Sequence, residues 1–253
     1  MATAPRPGMG MSEAEWAARQ QLAACYRVFD HLGWTESIYN HITLRVPGEE
    51  GAFLINPFGL HFSEVNASSL VKIDLQGTKL APSDWPVNLA GLVQHAAFHA
   101  NLPDAHCVMH THTTAGMAVA CSAAGLTTTN FYAGQIAGQL AYHDFEGITV
   151  RSDEAPRLIA SLGARRLMIL RNHGLLAMGT TVPEAFLRMW VLQRACEVQV
   201  AAAPMGPQIA IPPDVIAVHQ RDQSKVMIPG NFGEADFNAF VRLVDRTDRS
   251  WRD

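Results

Sequence analysis

The stretch HCVMHTH at residues 106–112 constrains the fold most, because an apolar run ends there in two histidines two positions apart. Side chains at positions i and i+2 of a β-strand point to the same face. His110 and His112 should therefore lie side by side at the end of a strand. Two buried imidazoles need a partner for their lone pairs, which a divalent metal supplies. Ordinary hydrogen-bonded histidines are the alternative that this pair alone leaves open.

Strand-like and helix-like runs alternate along the rest of the chain. Ser12 and Glu15 form a capping box that predicts a helix ending near Gly33. Apolar spacing and turn residues predict strands at 37–46, 52–59, 69–77 and 106–112. Two further strands are predicted within 164–179, one on either side of Asn172–Gly174. Helices are predicted at 87–101, 113–125, 152–163, from Thr181 to about Ala203, and near 233–245. This interleaving is typical of the α/β class, although the sequence leaves the strand order open.

The composition limits the classes of partner. Charged residues make up 17% of the 253 residues, below the usual value of about 25%, which indicates a surface partly covered in a homo-oligomer. A net charge of −4 without a basic cluster argues against nucleic acid and anionic membranes. No apolar run reaches the roughly 18 residues of a membrane span. The four cysteines form no CxxC pair, and we interpret them as buried thiols in the reducing cytoplasm.

A third histidine completes a candidate metal site. His173 ends an apolar strand and precedes Gly174, which suits a tightly packed backbone. Three histidines from two strand ends can hold a metal and leave coordination positions open for a substrate. Taken alone, His173 is equally compatible with a turn residue that caps its own backbone.

Several motifs occur in the order found in one known family. They are IYNHITLRVPG at 38–48, INPFGLHF at 55–62, LPD at 102–104, HTH at 110–112, YHDFEG at 142–147 and RNHG at 171–174. On these motifs the chain resembles the class II aldolase and adducin-head family over residues 12–203. The resemblance implies an α/β class fold, a three-layer α/β/α sandwich around a central, mainly antiparallel sheet. It also implies a homo-oligomer, usually a tetramer, with active sites at subunit interfaces.

The same resemblance implies a metal and a division of the chain. His110, His112 and His173 fall on the family's metal-ligand positions. They imply one divalent metal per chain, with zinc as the first candidate and manganese, cobalt or iron as others. Residues 12–203 would form the family domain. Independently of the resemblance, the composition of residues 1–11 predicts a flexible extension, and an apolar helix face within 204–253 predicts a loop and helix that pack on a neighbouring subunit.

The chain departs from the sugar-phosphate aldolases of this family at one motif. Those enzymes carry a Pro-Ser-Ser-Glu-like stretch before the helix that leads to HTH. An ungapped count from His110 places the position of that glutamate on Gly91, whereas a gapped alignment places it on Asp84 within APSDW. We prefer Gly91, which keeps His95 in register. A site without these serines is poorly suited to a phosphate dianion, so we expect a non-phosphorylated carboxylate substrate.

Other residues must then supply proton transfer and substrate contacts. His95 lies one helical turn from Gly91 and is the first candidate for proton transfer, with Tyr132, His61 and His143 as weaker ones. Asn40 falls at a family position that contacts substrate, and Gly59 and His61 lie in an upstream loop that could do the same. We interpret four further histidines as solvated residues: His31, His99, His106 and His219.

Three functions remain as hypotheses. The first is a divalent-metal lyase that cleaves or decarboxylates a small non-phosphorylated hydroxy- or keto-carboxylate through a metal-stabilised enediolate. The second is a non-haem Fe(II) oxygenase on the same fold. The third is a non-catalytic scaffold like the adducin head, against which the complete set of three histidines argues.

Overall fold

The central layer of the molecule is one sheet of seven strands. The computed structural model describes residues 11–149, 151–226 and 232–253. The strands are β1 (His41–Arg45), β2 (Phe53–Ile55), β3 (Val71–Ile73), β4 (Cys107–Thr111), β5 (Leu140–His143), β6 (Leu167–Leu170) and β7 (Gly174–Gly179). Their spatial order is β3-β2-β1-β4-β7-β6-β5, and every neighbouring pair is antiparallel except β5 and β6. The predicted, mainly antiparallel sheet is confirmed.

Eight α-helices surround this sheet within the part of the chain that the structure describes. They are α1 (Glu13–His31), α2 (Leu89–Asn101), α3 (Thr114–Ala120), α4 (Phe131–Gln135), α5 (Ala155–Leu162), α6 (Val182–Ala202), α7 (Pro213–Val226) and α8 (Glu234–Thr247). The predicted strand at 37–46 begins only at His41, because Ser37 and Asn40 adopt positive φ angles of 51° and 68° that break an extended run.

Alternation along the strands produces the two outer layers. Met109 of β4 enters a core shared with α1, α6 and α8, whereas its neighbour Val108 faces a core formed with α2 and α5. Leu175 and Leu176 of β7 divide between the same two cores. Because successive side chains of a strand point to opposite faces, each central strand contributes to both layers. The α/β/α sandwich is therefore confirmed.

The C-terminal segment packs on its own chain. Phe237 and Val244 of α8 and the following Trp251 are buried, and all three belong to the core that contains α1 and α6. Part of this helix face thus packs on its own chain, and its packing on a neighbouring subunit stays a prediction. The backbone also fixes the chain end, since the amides of Ala67 and Ser68 donate to the carbonyl oxygens of Trp251 and Asp253.

Two further expectations concern the ends and the surface. Residues 1–10 of the predicted flexible extension lie outside the described residues, and Met11 is buried. Cys121 is exposed, contrary to the prediction for all four cysteines, whereas the other three are buried. No helix in the described ranges has the length and apolarity to span a membrane.

A buried ion pair joins α1 to the loop before β3. Ser12 accepts the amide of Glu15 at 3.0 Å as predicted, but the Glu15 carboxylate turns inward and binds Arg19 and Lys72, each at 2.9 Å. Arg19 is fully buried and donates to the carbonyl oxygens of Ala67 and Leu70 at 3.3 and 2.7 Å. The guanidinium thus depends on Glu15 for its counter-charge.

We expect Glu15→Gln to lower the free energy of unfolding by roughly 3 kcal/mol, because it leaves a buried guanidinium without its carboxylate. Urea denaturation measures the loss. Glu13→Gln is the matched control, since Glu13 is exposed in the same first turn, and should change the free energy by less than about 0.5 kcal/mol. Similar losses in both variants would contradict this role of Glu15.

Candidate metal centre and substrate cavity

Three histidines converge at one end of the sheet. One ring nitrogen each from His110, His112 and His173 lies within 4.8 Å of the others. The ring centroids of His110 are 4.6 Å from His112 and 4.8 Å from His173. His110 is buried, and the other two are half-buried and open towards a cavity. The arrangement has the residue type, number and proximity of a metal-binding set.

Strand pairing explains why these residues meet. β4 runs antiparallel to β7 with His110 opposite Leu176, and β6 and β7 form a hairpin whose loop contains His173. Asn172 adopts a φ of 57° in this tight loop. A Cβ atom on Gly174 would lie 2.3 Å from the Thr111 carbonyl oxygen. The hairpin can therefore approach β4 only because residue 174 is a glycine.

Hydrogen bonding and burial keep this cluster neutral. The Nδ1 atom of His110 lies 2.9 Å from the Leu175 carbonyl oxygen, which requires a proton on that nitrogen and leaves the Nε2 lone pair free. That Nε2 is 2.7 Å from Nε2 of His112. Burial first, and then neighbouring histidines, lower the pKa of His110 and that of His173, the latter to about 4. Neutral nitrogens gathered so closely fit a divalent metal.

The cavity beside the cluster has a volume of 480 Å³. Its polar lining consists of neutral side chains, and its outer wall is apolar. The lining includes Asn40, His41, Asn88, Gln94, Thr149, Asn172, Tyr39, Met117, Phe145 and Ile148. No lysine, arginine, aspartate or glutamate lines it among the described residues. A larger groove of 680 Å³ near residues 44–51 contains none of the three clustered histidines, so we place the candidate site in the smaller cavity.

Asn40 is the predicted substrate-binding residue that the structure brings to this cavity. Its side chain is buried, and neither its Nδ2 nor its Oδ1 atom has a hydrogen-bond partner among the described residues. Its left-handed backbone turns the chain into β1 directly before His41. An amide with both polar atoms unpaired can donate to and accept from a ligand.

Three other predicted residues do not line the cavity. Gly59 is exposed in its loop with a φ of 106°. His61 caps the short helix that follows it: its ring bonds the Ser63 hydroxyl, and its backbone amide donates to the Glu64 carboxylate. Tyr132 is half-buried on α4, with the Arg194 guanidinium 5.7 Å from its ring centre. Local capping and packing occupy these side chains.

The surroundings of His95 and His99 also differ from those expected from the sequence. His95 is fully buried and does not line the cavity, and Thr43 lies 2.7 Å from both His95 Nδ1 and His99 Nε2. His99 is buried and stacks on Phe53 at 4.4 Å, so its assignment as a solvated residue is wrong. Burial lowers the pKa of His95 well below its usual value and that of His99 to about 3. His95 therefore packs behind the cavity wall and has no contact with the cavity.

Gly91 forms part of the cavity wall. Gly91 lines the cavity, whereas Asp84 is exposed and does not. A Cβ atom on Gly91 would lie 2.3 Å from Cε1 of His41 and 2.4 Å from both its ring nitrogens. The His41 imidazole thus fills the space in which a side chain at position 91 would start.

His41 is a site residue that the sequence analysis missed. It pairs with His110 across β1 and β4, its ring lies 5.6 Å from that of His110, and it is buried. Burial first, and then the neighbouring His112, lower its pKa to about 3. Neither of its ring nitrogens has a hydrogen-bond partner of good geometry among the described residues. One sequence feature could have identified His41 as a site residue: it directly follows Asn40 in a predicted strand.

Comparison with known proteins agrees with this architecture. The sequence profile of the class II aldolase and adducin N-terminal domain matches residues 20–200. The chain belongs to the class II aldolase and adducin family. Its relatives in this family include a Pseudomonas aeruginosa protein of the aldolase class 2 type, 43% identical over 96% of this chain and 94% of that protein. Rat alpha-adducin is 40% identical over 92% of this chain, which corresponds to 34% of adducin.

Solved structures of the class II aldolase and adducin family give the same result. An aldolase II superfamily protein from Pseudomonas syringae has a TM-score of 0.90 and 40% identity, covering 96% of this chain and 98% of that one. An L-fuculose 1-phosphate aldolase from Glaciozyma antarctica has a TM-score of 0.81 and 25% identity, covering 96% and 94%. The predicted family is confirmed, with the family model matching residues 20–200 and relatives covering up to 96% of this chain.

We expect Gly91→Ala to lower the free energy of unfolding by about 1–3 kcal/mol, because the new methyl group displaces the buried His41 ring. The double variant Gly91→Ala/His41→Ala should lose at least about 1 kcal/mol less than the sum of its single variants. Thermal and urea denaturation measure both.

Gly134→Ala is the matched control, since its Cβ would meet side-chain atoms of Ile211 and His219 only at ordinary distances of 3.4 Å or more. This helical position should tolerate alanine or gain up to about 1 kcal/mol. If Gly91→Ala behaved like Gly134→Ala, or if the double variant were additive, the described packing of His41 would be incorrect.

Proposed function

We propose that the protein is a divalent-metal-dependent carbon–carbon lyase for small, non-phosphorylated hydroxy- or keto-carboxylates. Its reaction would be retro-aldol cleavage or decarboxylation. One observation carries the proposal: three neutral histidines converge on a cavity that no charged side chain lines among the described residues. The membership of the chain in the class II aldolase and adducin family supports the reaction class.

His110, His112 and His173 would hold one divalent cation, with zinc as the first candidate and manganese, cobalt or iron as others. When bound, such a cation polarises a carbonyl group as a Lewis acid. The Leu175 carbonyl fixes the tautomer of His110, and burial keeps the cluster deprotonated at neutral pH. Both features leave lone pairs on the ring nitrogens available to bind a metal.

The neutral lining supports a non-phosphorylated substrate. A phosphate group brings about two negative charges, and no lysine or arginine in the described lining balances them. A carboxylate brings one charge, which the cation itself would compensate. The L-fuculose 1-phosphate aldolase to which this chain is similar acts, by its name, on a phosphorylated sugar. We infer that the two proteins differ in substrate class.

The other cavity residues would bind the substrate and exclude water. The unpaired amide of Asn40 would hold a polar group of the substrate. Met117, Phe145 and Ile148 form an apolar side of the cavity. Apolar walls strengthen electrostatic interactions inside a site by lowering the local dielectric constant.

A second copy of the chain would complete the site. Tyr39, Phe145 and Ile148 at the cavity are 53%, 55% and 75% exposed, and exposed apolar groups of this kind mark interfaces. We propose a homotetramer with interface active sites in the cytoplasm. Tyr132, which does not line the cavity of its own chain, would then act only in the cavity of a neighbouring copy.

Two alternatives keep a specific basis. The similarity to alpha-adducin favours a non-catalytic scaffold, and three histidines could equally hold Fe(II) for an oxygenase. The Gly174 packing and the Leu175 hydrogen bond that orient the histidines favour a functional metal centre, because a scaffold needs neither. Oxygen consumption separates a lyase from an oxygenase.

We expect the protein to bind about one zinc per chain, as for a three-histidine site, and His112→Ala and His173→Ala to lose most of it. Elemental analysis after equal zinc exposure and desalting measures the content. His106→Ala is the control, since His106 is exposed and lies outside the cluster, and should retain the metal. Full retention of zinc by the His112 and His173 variants would reject the centre.

We also expect the metal-loaded protein to release pyruvate from a 4-hydroxy-2-keto acid, or carbon dioxide from a keto acid whose departing carboxylate lies β to the carbonyl, so that the electrons pass to an enolate at the metal. Chelation and His173→Ala should both abolish turnover, and a phosphorylated analogue should react at least about tenfold more slowly, because its second charge finds no partner. Coupled pyruvate and carbon dioxide assays follow the reaction. Oxygen uptake with Fe(II), or no turnover of either acid class, would reject the lyase.

A further inference from the structure

One wall of the cavity contains unsatisfied buried polar groups in an unusual concentration. Both ring nitrogens of His41 and the Nε2 atom of Gln94 are buried and have no hydrogen-bond partner among the described residues. Both side chains line the cavity that the three clustered histidines share. Burying a polar group without a partner costs about 1–3 kcal/mol. Such groups in a native protein indicate a partner that binds from the cavity.

The fold holds these two side chains in fixed positions. His41 lies on β1, paired with His110 of β4, and its ring packs against the His95 ring at 4.2 Å and over the Cα of Gly91. Gln94 lies on α2, three residues after Gly91 and thus on the same helical face. Both side chains line the cavity beside the bare backbone of Gly91.

The chemistry of the two groups selects the ligand. A neutral imidazole offers one donor and one acceptor, and an amide nitrogen is a donor only. One ring nitrogen of a neutral imidazole carries no proton, so His41 can accept a hydrogen bond from a ligand. A hydroxyl group satisfies both partners, because it donates to the imidazole and accepts from the Gln94 amide. Carboxylate and phosphate oxygens only accept, and they would leave the imidazole lone pair unpaired.

We propose that His41 and Gln94 form a hydroxyl-binding subsite beside the three clustered histidines. The subsite selects ligands that carry a hydroxyl group next to the group held by the metal centre. This subsite adds detail to the proposed function. It rests on that proposal only in assuming that the three-histidine cluster holds another group of the same ligand. The specificity-determining residues are thus His41 and Gln94.

A matched pair of probes tests this subsite. Hydroxypyruvate and pyruvate differ by a single hydroxyl group and share the keto-carboxylate. The zinc-loaded protein should bind hydroxypyruvate about five- to tenfold more tightly than pyruvate, as expected for one net hydrogen bond. Isothermal titration calorimetry measures both dissociation constants, and elemental analysis confirms equal zinc content in every sample.

His41→Ala and Gln94→Leu should each bring the ratio of the two dissociation constants close to one while pyruvate affinity changes little. His106→Ala should keep the wild-type ratio. Gln94→Leu serves as the second variant because Gln94 is not paired with His110, so its effect cannot come from a disturbed β4 strand. A ratio near one in the wild-type protein, including absent binding of both probes, would overturn the subsite. So would an unchanged ratio in both variants.

The test is independent of turnover. Selective binding of hydroxypyruvate without cleavage or decarboxylation of any keto acid would reject the lyase and keep the subsite. Turnover of a keto acid with equal affinities for the two probes would keep the lyase and reject the subsite.

Discussion

The antiparallel contact between β4 and β7 is the interaction on which the site depends. It places His110 and His112 at the end of one strand against the hairpin loop of His173, and it provides the Leu175 carbonyl that orients His110. The contact is possible because Gly174 has no side chain to collide with Thr111. The same two strands contribute to both cores of the sandwich. The same strand contact thus holds the sheet together and brings the three histidines into place.

Local patterns predicted most of the fold. The apolar run before His110 and the caps at Ser12 and Thr181 act within a few residues, so the sequence alone locates these elements. The side-chain direction of Glu15 was not predictable in this way, because it depends on Arg19 and a distant loop. The three clustered histidines came from spacing together with family resemblance.

The part of the cavity wall formed by β1 and α2 could not be predicted from the sequence. His41 and His95 lie 54 positions apart in the sequence. The packing of α2 on β1 places His41 at the cavity instead of the predicted His95. Sequence spacing placed His95 on the face of Gly91, but it could not show that the His41 ring already fills the space next to Gly91. His61 and Tyr132 illustrate the same limit, since capping and packing determine their environment.

The location of His41 on strand β1 affects which substitutions the protein can accept around its site. In this chain the polar group next to the three histidines comes from a strand of the same hydrogen-bonded ladder as His110, and α2 contributes only a bare backbone at position 91. Substitutions on α2 away from Gly91 and Gln94 would then leave the His41 ring in place. A one-residue slip of β1 would instead turn His41 to the opposite face of the sheet. The proposed contact of His41 with a ligand thus depends on the register between β1 and β4.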